Sequence, residues 1–525
     1  MSSRARLLGL GLPAVGGVLV ALSAPPFPAA FLVLVFAGLA LLGVSLEGAT
    51  IKGAALRGLV FGFFTNLVVF RFVVGTITEF TDLPWIAADL ALVLLALGQA
   101  IAWGVAAIAH ALLRRKASLP LSLAGGAALA LAVPQLFVWT IGAPLARAPV
   151  LMQLAEVVGE RGLSVIVAAT AGFVAAAWLA RGRARLGHSA AALAIVLALA
   201  AYGAVRAGAV DELAERATKA RVALVQHAVA PKLRWERAAS SSILARLWKL
   251  TREADRQGAT LAIWPEAAYP WILPSEPTRD AGPFRIRPAG VKLEVLTGLL
   301  TDAPSPPGVE PGTHFHYNAA TLVGVDGRTE PVAAKIELLA FGEYVPLGDT
   351  FPWLQRTFAR GGGLLPGKDV VLLETKGPGP KVRAGVLNCY EDTLPSQARR
   401  VARANPNLLV NLTNDAWFGG GAEPELHLLE AIPRAIELRR ALVRAVNTGV
   451  TSWIDPVGRV VARAPREAEA LLVVDVPLLD STPTPYERVG DLGWIALMVT
   501  ALGLTVGVRK LDAPHSSEPS SPARA

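Results

Sequence analysis

The chain has 525 residues, enough for two hydrophobic cores, with 53% of them apolar and only 17% charged. Its mean hydropathy of +0.47 exceeds that of a water-soluble globular protein, so much of the apolar surface has to meet lipid. The formal charge of +9 sits largely in short runs between apolar segments, as in Arg114-Arg115-Lys116 and Arg181, Arg183 and Arg185. That distribution marks cytoplasmic loops and speaks against nucleic acid as a partner. A single cysteine, Cys389, excludes an intrachain disulfide.

In chain order, apolar stretches predict helices over 8–24, 29–46, 56–75, 84–112, 121–141, 160–180 and 189–208, with a last one over 492–508. Arg4 and Arg6 precede the first in the manner of a signal peptide, but the run of further spans marks it as an uncleaved first helix. With the N-terminus inside, the inner loops hold Lys52 and Arg57, then residues 114–116, then 181–185. Among the outer connections, 76–83 carries only Glu79 and Asp82, and 142–159 has Arg147 as its one basic residue. Seven spans then deliver a hydrophilic region to the outer face, and an eighth returns the chain to Arg509 and Lys510. The expected organisation is a helical membrane region over 1–217, an extracytoplasmic domain over 218–480, a final span over 481–510 and a disordered cytoplasmic tail over 511–525.

The hydrophilic region has a different texture. Short β-rich runs recur at 222–226, 261–264, 382–387, 408–411 and 471–474, and helical patterns lie at 240–258 and 425–447. Strands alternating with helices predict an α/β domain with functional groups at strand ends. Surface loops are expected at 304–311, 361–363 and 377–380.

Three such strand ends carry chemistry: Trp264-Pro-Glu266, then Ala333-Ala-Lys335 followed by Phe341-Gly-Glu343, then Asn388-Cys389-Tyr390-Glu391. Singly they read as a capping acid, a surface lysine and a buried thiol. Together they form a working set. A carboxylate can take the thiol proton, and an ammonium can stabilise both the thiolate and the oxyanion that forms when it attacks a carbonyl. The N–H of Tyr390 is a candidate second oxyanion donor, and the product would be a thioester on Cys389. No metal-ligand spacing or phosphate-cradling glycine loop stands out, and this chemistry requires no cofactor.

The order Glu266, Lys335, Cys389 resembles the nitrilase (carbon–nitrogen hydrolase) superfamily, and with the membrane helices it resembles the apolipoprotein N-acyltransferase family. The resemblance is carried by Val222-Ala-Leu-Val-Gln226 with Trp235, by Trp264-Pro-Glu266, and by Lys335 with Glu343 eight residues on. It continues through Cys389-Tyr390-Glu391, Asn414-Asp-Ala-Trp417-Phe-Gly419 and Arg444-Ala-Val-Asn-Thr-Gly449, and in the membrane part through Pro25-Pro-Phe27, Gln153-Leu-Ala and Gly162-Leu-Ser164. It implies about eight transmembrane helices plus an α-β-β-α sandwich. It also implies a general base at Glu266, an oxyanion stabiliser at Lys335, an acylated nucleophile at Cys389, and a second acid at Glu343 that orients Lys335 or the incoming amine. Trp235, Tyr390, Glu391, Asn414 and Trp417 match positions near the thioester. The implied substrates are a membrane phospholipid as acyl donor and a diacylglyceryl-modified apolipoprotein as acceptor. The implied location is the bacterial inner membrane, with the catalytic domain on the periplasmic side. The chain departs from the family at Ala340, where proline is usual, at Arg440-Ala441, and at Arg71, where an aromatic residue is more typical. The rival readings are a membrane-tethered amidase with water as acceptor and a catalytically idle lipid-binding scaffold.

Overall fold

In this computed structural model, residues 3–511 are described apart from 82, 235, 306–313, 349, 352, 354–362, 420 and 481. Most of the expected loop at 304–311, most of that at 361–363 and the tail from 512 onward therefore lie outside the described residues.

Among the described residues, five helices are long and apolar enough to cross a bilayer: Ala29–Leu46, Ile51–Val69, Trp85–Leu113, Ala155–Leu179 and Gly182–Arg216. Shorter apolar helices run over Gly9–Leu22, Leu119–Ala130 and Leu492–Gly503. Large side chains point outward and small ones inward, as lipid solvation requires. On Trp85–Leu113, Leu90, Leu94 and Ile101 are exposed while Ala88, Ala96 and Ala100 are buried. Close helix contact makes Gly58 necessary, because a side chain there would strike the Trp103 carbonyl.

Hydropathy alone overran several helix ends. The third predicted helix stops at Val69, and a separate helix, Phe72–Phe80, starts after Arg71. The fifth stops at Ala130 rather than 141, because Pro134 cannot continue it. Beyond it the Phe137 N–H bonds instead to the Gln99 side chain at 2.9 Å. The seventh is longer than expected, running over Gly182–Arg216 for about 50 Å at 1.5 Å per residue and leading directly into the first strand.

Two sheets follow. In the first lie β1 (Lys219–Gln226), β2 (Leu261–Ile263), β3 (Ile272–Leu273), β4 (Glu294–Ala303), β5 (Phe315–Val323) and β6 (Ala333–Ala334). In the second lie β7 (Leu372–Glu374), β8 (Arg383–Asn388), β9 (Leu408–Thr413), β10 (Leu442–Val446), β11 (Ser452–Ile454) and β12 (Val460–Arg463). The chain then returns through β13 (Ala470–Pro477), giving strand orders β13-β1-β2-β4-β5-β6, with β3 on β4, and β12-β11-β10-β9-β8-β7. Each sheet has a parallel centre, β1-β2-β4 and β8-β9-β10. Val222, Leu224, Ile263 and Leu296 of the first sheet share a core with Val386, Val410, Leu412 and Val443 of the second. Burial on both faces explains why these strands read as continuous apolar runs.

Helix Ser240–Arg256 covers the outer face of the first sheet through Leu244 and Leu247. Helices Pro395–Ala402 and Glu423–Leu438 cover the second, completing an α-β-β-α sandwich. The helical pattern over 425–447 proved to be two elements. The helix runs unbroken through Pro433, ends where Arg439 adopts φ 50°, and is followed by strand β10. Helix Glu423–Leu438 shares one apolar core with both its sheet and the membrane helices. Buried ion pairs tie this junction: Arg434 to Glu160 at 2.7 Å and Arg439 to Glu156 at 2.9 Å. Gln153 adds a bond to the Val457 carbonyl at 2.8 Å. Pairs this deeply buried fix the docking geometry more than they add net stability.

Candidate active site

Glu266, Cys389 and Asn414 each follow the carboxyl end of a parallel strand, β2, β8 and β9 respectively, the edge where open α/β sheets present functional groups. Lys335 follows β6, and its N–H bonds to the Asn318 carbonyl of β5 at 2.8 Å. Gly298 of β4 lets the Glu266 backbone approach, since a Cβ there would lie 2.7 Å from the Glu266 Cα. Cys389 itself has φ 53°. Left-handed backbone at a non-glycine residue is strained, and here it turns the chain from β8 into a one-turn 3₁₀ helix, Cys389–Thr393, that starts with the buried Cys389.

The side chains converge. Lys335 Nζ lies 2.7 Å from Glu343 Oε2 and 3.6 Å from Glu266 Oε1, at 1% exposure. Asn318 Nδ2 donates to both acids, to Glu266 Oε1 at 2.7 Å and Glu343 Oε1 at 2.8 Å. The Asn414 N–H donates to Glu266 Oε2 at 3.1 Å, and Cys389 is close enough to this carboxyl group that the two perturb each other's titration. Burial raises the Glu266 pKa above its ordinary value, with Lys335 opposing and Glu343 reinforcing the shift. Burial and then Glu266 push the Cys389 thiol well up, while Lys335 pulls it back. Burial alone would lower the Lys335 pKa, but Glu343, Cys389 and Glu266 hold it well above the usual lysine range. The cluster thus keeps a charged ammonium beside a protonated thiol and a carboxyl group able to receive its proton.

The flanking residues differ in what they touch. Tyr390 lies under Lys335, with Nζ 5.5 Å from the ring centre, and its hydroxyl bonds to the Leu338 carbonyl at 3.0 Å. Glu391 accepts N–H groups of Asn388 (2.8 Å), Ile336 (2.8 Å) and Glu337 (2.9 Å), so it fastens the cysteine turn to the lysine segment. Burial pushes its pKa up to about 7. The Asn414 side chain accepts from Asn447 Nδ2 at 3.0 Å. Trp417 packs instead against Phe80 of the membrane region, ring centres 4.8 Å apart. Trp235 lies outside the described residues.

Asn318 was missed from sequence; its one signal is that it is the lone amide in β5. His427 was missed as well. Its Nε2 meets Asp392 Oδ1 at 2.8 Å in the cysteine turn, and its Nδ1 meets Asp415 Oδ1 at 3.1 Å in the turn after Asn414. Arg444 pairs with the other side of Asp392. Asp415, Glu423 and His427 place ligand atoms within 4.8 Å of one another. Both ring nitrogens of His427 are engaged with aspartates, so the group acts as an ion cluster that clamps the two turns together.

Burial alone would lower the His427 pKa, but Asp392 and then Asp415 carry it from 6.5 up to about 10. A raised folded-state pKa contributes stability that is complete below the unfolded value and lost as pH rises through the folded one. Thermal unfolding in detergent is therefore expected to show stability falling between pH 6.5 and about 10. His427→Gln should flatten that slope, and an unchanged slope in the variant would remove this role from His427.

Comparison with known proteins agrees with the architecture. Residues 16–173 match the family described as "Apolipoprotein N-acyltransferase N-terminal domain", and residues 221–486 match "Carbon-nitrogen hydrolase". The chain is 31% identical over 522 residues to the apolipoprotein N-acyltransferase of Bdellovibrio bacteriovorus, covering 95% of this chain and 93% of that one. It is 31% identical over 388 residues to that of Geobacter metallireducens, covering 72% and 71% of the two chains. Among solved structures, it is similar to a nitrilase-superfamily amidase from Nesterenkonia, at 20% identity and a TM-score of 0.37, covering 52% of this chain and 94% of that one. On sequence over nearly its whole length, this chain belongs to the apolipoprotein N-acyltransferase family.

Proposed function

We propose that this membrane protein transfers an acyl chain from a phospholipid, through a thioester on Cys389, to the α-amine of an N-terminal diacylglyceryl-cysteine on lipoproteins. The observation that carries the reading is the buried Glu266–Lys335–Cys389 cluster in a sandwich docked on membrane helices. The same reading assigns residues 1–217 and 481–510 to the bacterial inner (cytoplasmic) membrane and 218–480 to its periplasmic face, with both termini cytoplasmic.

In the first half-reaction the Cys389 sulfur attacks the ester carbonyl as its proton passes to Glu266. Lys335, held by Glu343, stabilises the oxyanion. The tetrahedral intermediate collapses, Glu266 returns the proton to the departing alkoxide, and a lysophospholipid leaves. In the second half the acceptor amine attacks the thioester, Glu266 takes its proton, and the amide forms as the Cys389 thiol is restored. Tyr390, Glu391, Asn414 and Trp417 support this centre by positioning its turns and walls, and Trp235 is assigned to substrate binding by the family resemblance alone. Water competes with the amine, so burial of the cluster favours transfer over hydrolysis.

Intact-protein mass spectrometry of detergent-purified enzyme incubated with phosphatidylethanolamine tests the reading. The expected result is a gain of one acyl group, removed by hydroxylamine and absent from Cys389→Ala. Ester cleavage that yields free fatty acid without an acceptor requirement would favour a membrane-tethered amidase or esterase instead.

A further inference from the structure

A cleft of about 420 Å³ opens between helix Phe72–Phe80 and the segment after the Asp415–Phe418 turn. Its two walls have different origins. One is the short helix between the membrane helices Ile51–Val69 and Trp85–Leu113. The other continues from Asn414, whose N–H holds Glu266. Two aromatic contacts brace the walls, Phe72 on Phe418 at 5.5 Å and Phe80 on Trp417 at 4.8 Å. Gly419 keeps one side low, since a Cβ there would lie 3.3 Å from Glu79 Oε2 and φ is 55°.

The cleft also holds opposite charges. Arg71 and Glu79 both line it, and among the described residues neither makes an ion pair. They lie eight residues apart, about 12 Å along the helix, too far to neutralise each other directly. The Arg71 guanidinium rests 5.7 Å from the Phe27 ring centre, leaving its N–H groups available to an anion. A guanidinium with free donors, two residues past the end of the apolar helix Ile51–Val69, is suited to bidentate binding of phosphate. A carboxylate in the same cleft favours a ligand that also carries an ammonium.

We propose that this cleft binds the headgroup of the acyl-donor glycerophospholipid, Arg71 engaging the phosphate and Glu79 the ammonium of an amine-bearing headgroup. The inference rests on the acyl-transfer reading above and adds the site that tells donor from acceptor. The donor and the departing lysophospholipid carry a phosphate; a diacylglyceryl-cysteine does not. Arg71 therefore acts in the first half-reaction alone.

The test uses the full-length enzyme in mixed micelles and measures the half-reactions separately. Formation of acyl-Cys389 is followed with phosphatidylethanolamine, phosphatidylglycerol and a p-nitrophenyl ester that lacks a headgroup. Discharge of the acyl-enzyme is followed with a diacylglyceryl-cysteinyl peptide. Arg71→Ala is expected to lower the preference for either phospholipid over the p-nitrophenyl ester by about tenfold, the loss of one charge-assisted contact, with Arg71→Lys recovering part of it. Glu79→Gln should lower the preference for phosphatidylethanolamine over phosphatidylglycerol several-fold. If Arg71→Ala leaves the phospholipid-to-ester ratio unchanged, or slows discharge as much as acylation, the headgroup site is overturned. Failure of the wild type to form a thioester with any of the three donors would instead overturn the acyl-transfer reading itself.

Discussion

Cys389→Ser is expected to lower acyl transfer by at least ~10³-fold while leaving the fold intact, because the substitution changes one atom. A hydroxyl is a far weaker acid than a thiol. Burial and Glu266 already hold the native thiol well above its ordinary pKa, so the proton transfer to Glu266 is demanding even for sulfur. Oxygen at the same place leaves Glu266 as a base too weak for the task. Lys335 would still be 3.6 Å from Glu266, so the oxyanion site would survive without a competent nucleophile. Lipoprotein acylation followed by mass spectrometry measures the loss. A serine variant retaining a tenth or more of the wild-type rate would sink the thioester mechanism.

Lys335→Met should damage the protein in two separable ways. The substitution keeps the volume and removes the one cation that Glu266 and Glu343 share, at 3.6 and 2.7 Å. Losing an oxyanion donor costs on the order of 10²–10³ in rate, and Glu266 would lose its value as a base once its pKa rises further. Separately, two buried carboxylates bridged by Asn318 would face each other without a counter-ion. Removing one partner of a buried pair costs about 3–5 kcal/mol, reduced here by the protons the acids take up. The double variant Lys335→Met/Glu343→Gln removes one of the stranded charges. It is expected to recover much of the unfolding temperature and none of the activity. Recovery of activity along with stability would show that Lys335 serves the fold rather than the reaction.

The membrane character and the order of the reactive groups were legible because each depends on neighbours along the chain. Apolar runs and the placement of Lys and Arg between them are local properties, and so is an acid, lysine or thiol standing at the end of a short apolar stretch. Those stretches are β2, β6 and β8. Helix ends were less legible, since hydropathy continues through 131–141 while the backbone does not; Pro134 and the Gln99 side chain decide that segment. The strand Leu442–Val446 was read as helix because its fully buried run has no period, and only pairing with β9 and β11 separates the two.

What tertiary structure alone decided is which polar groups meet. Asn318 reaches Glu266 from 52 residues away, His427 reaches Asp392 from 35, and Arg434 reaches Glu160 from 274. A buried polar side chain must find its partner across a strand register or a helix–sheet seam, and neither distance nor direction in space is written into local spacing. The cleft between Arg71 and Gly419 has the same origin. Its walls come from the short helix Phe72–Phe80 of the membrane region and the segment after the Asp415–Phe418 turn, which are neighbours only once the sandwich has docked on the bundle.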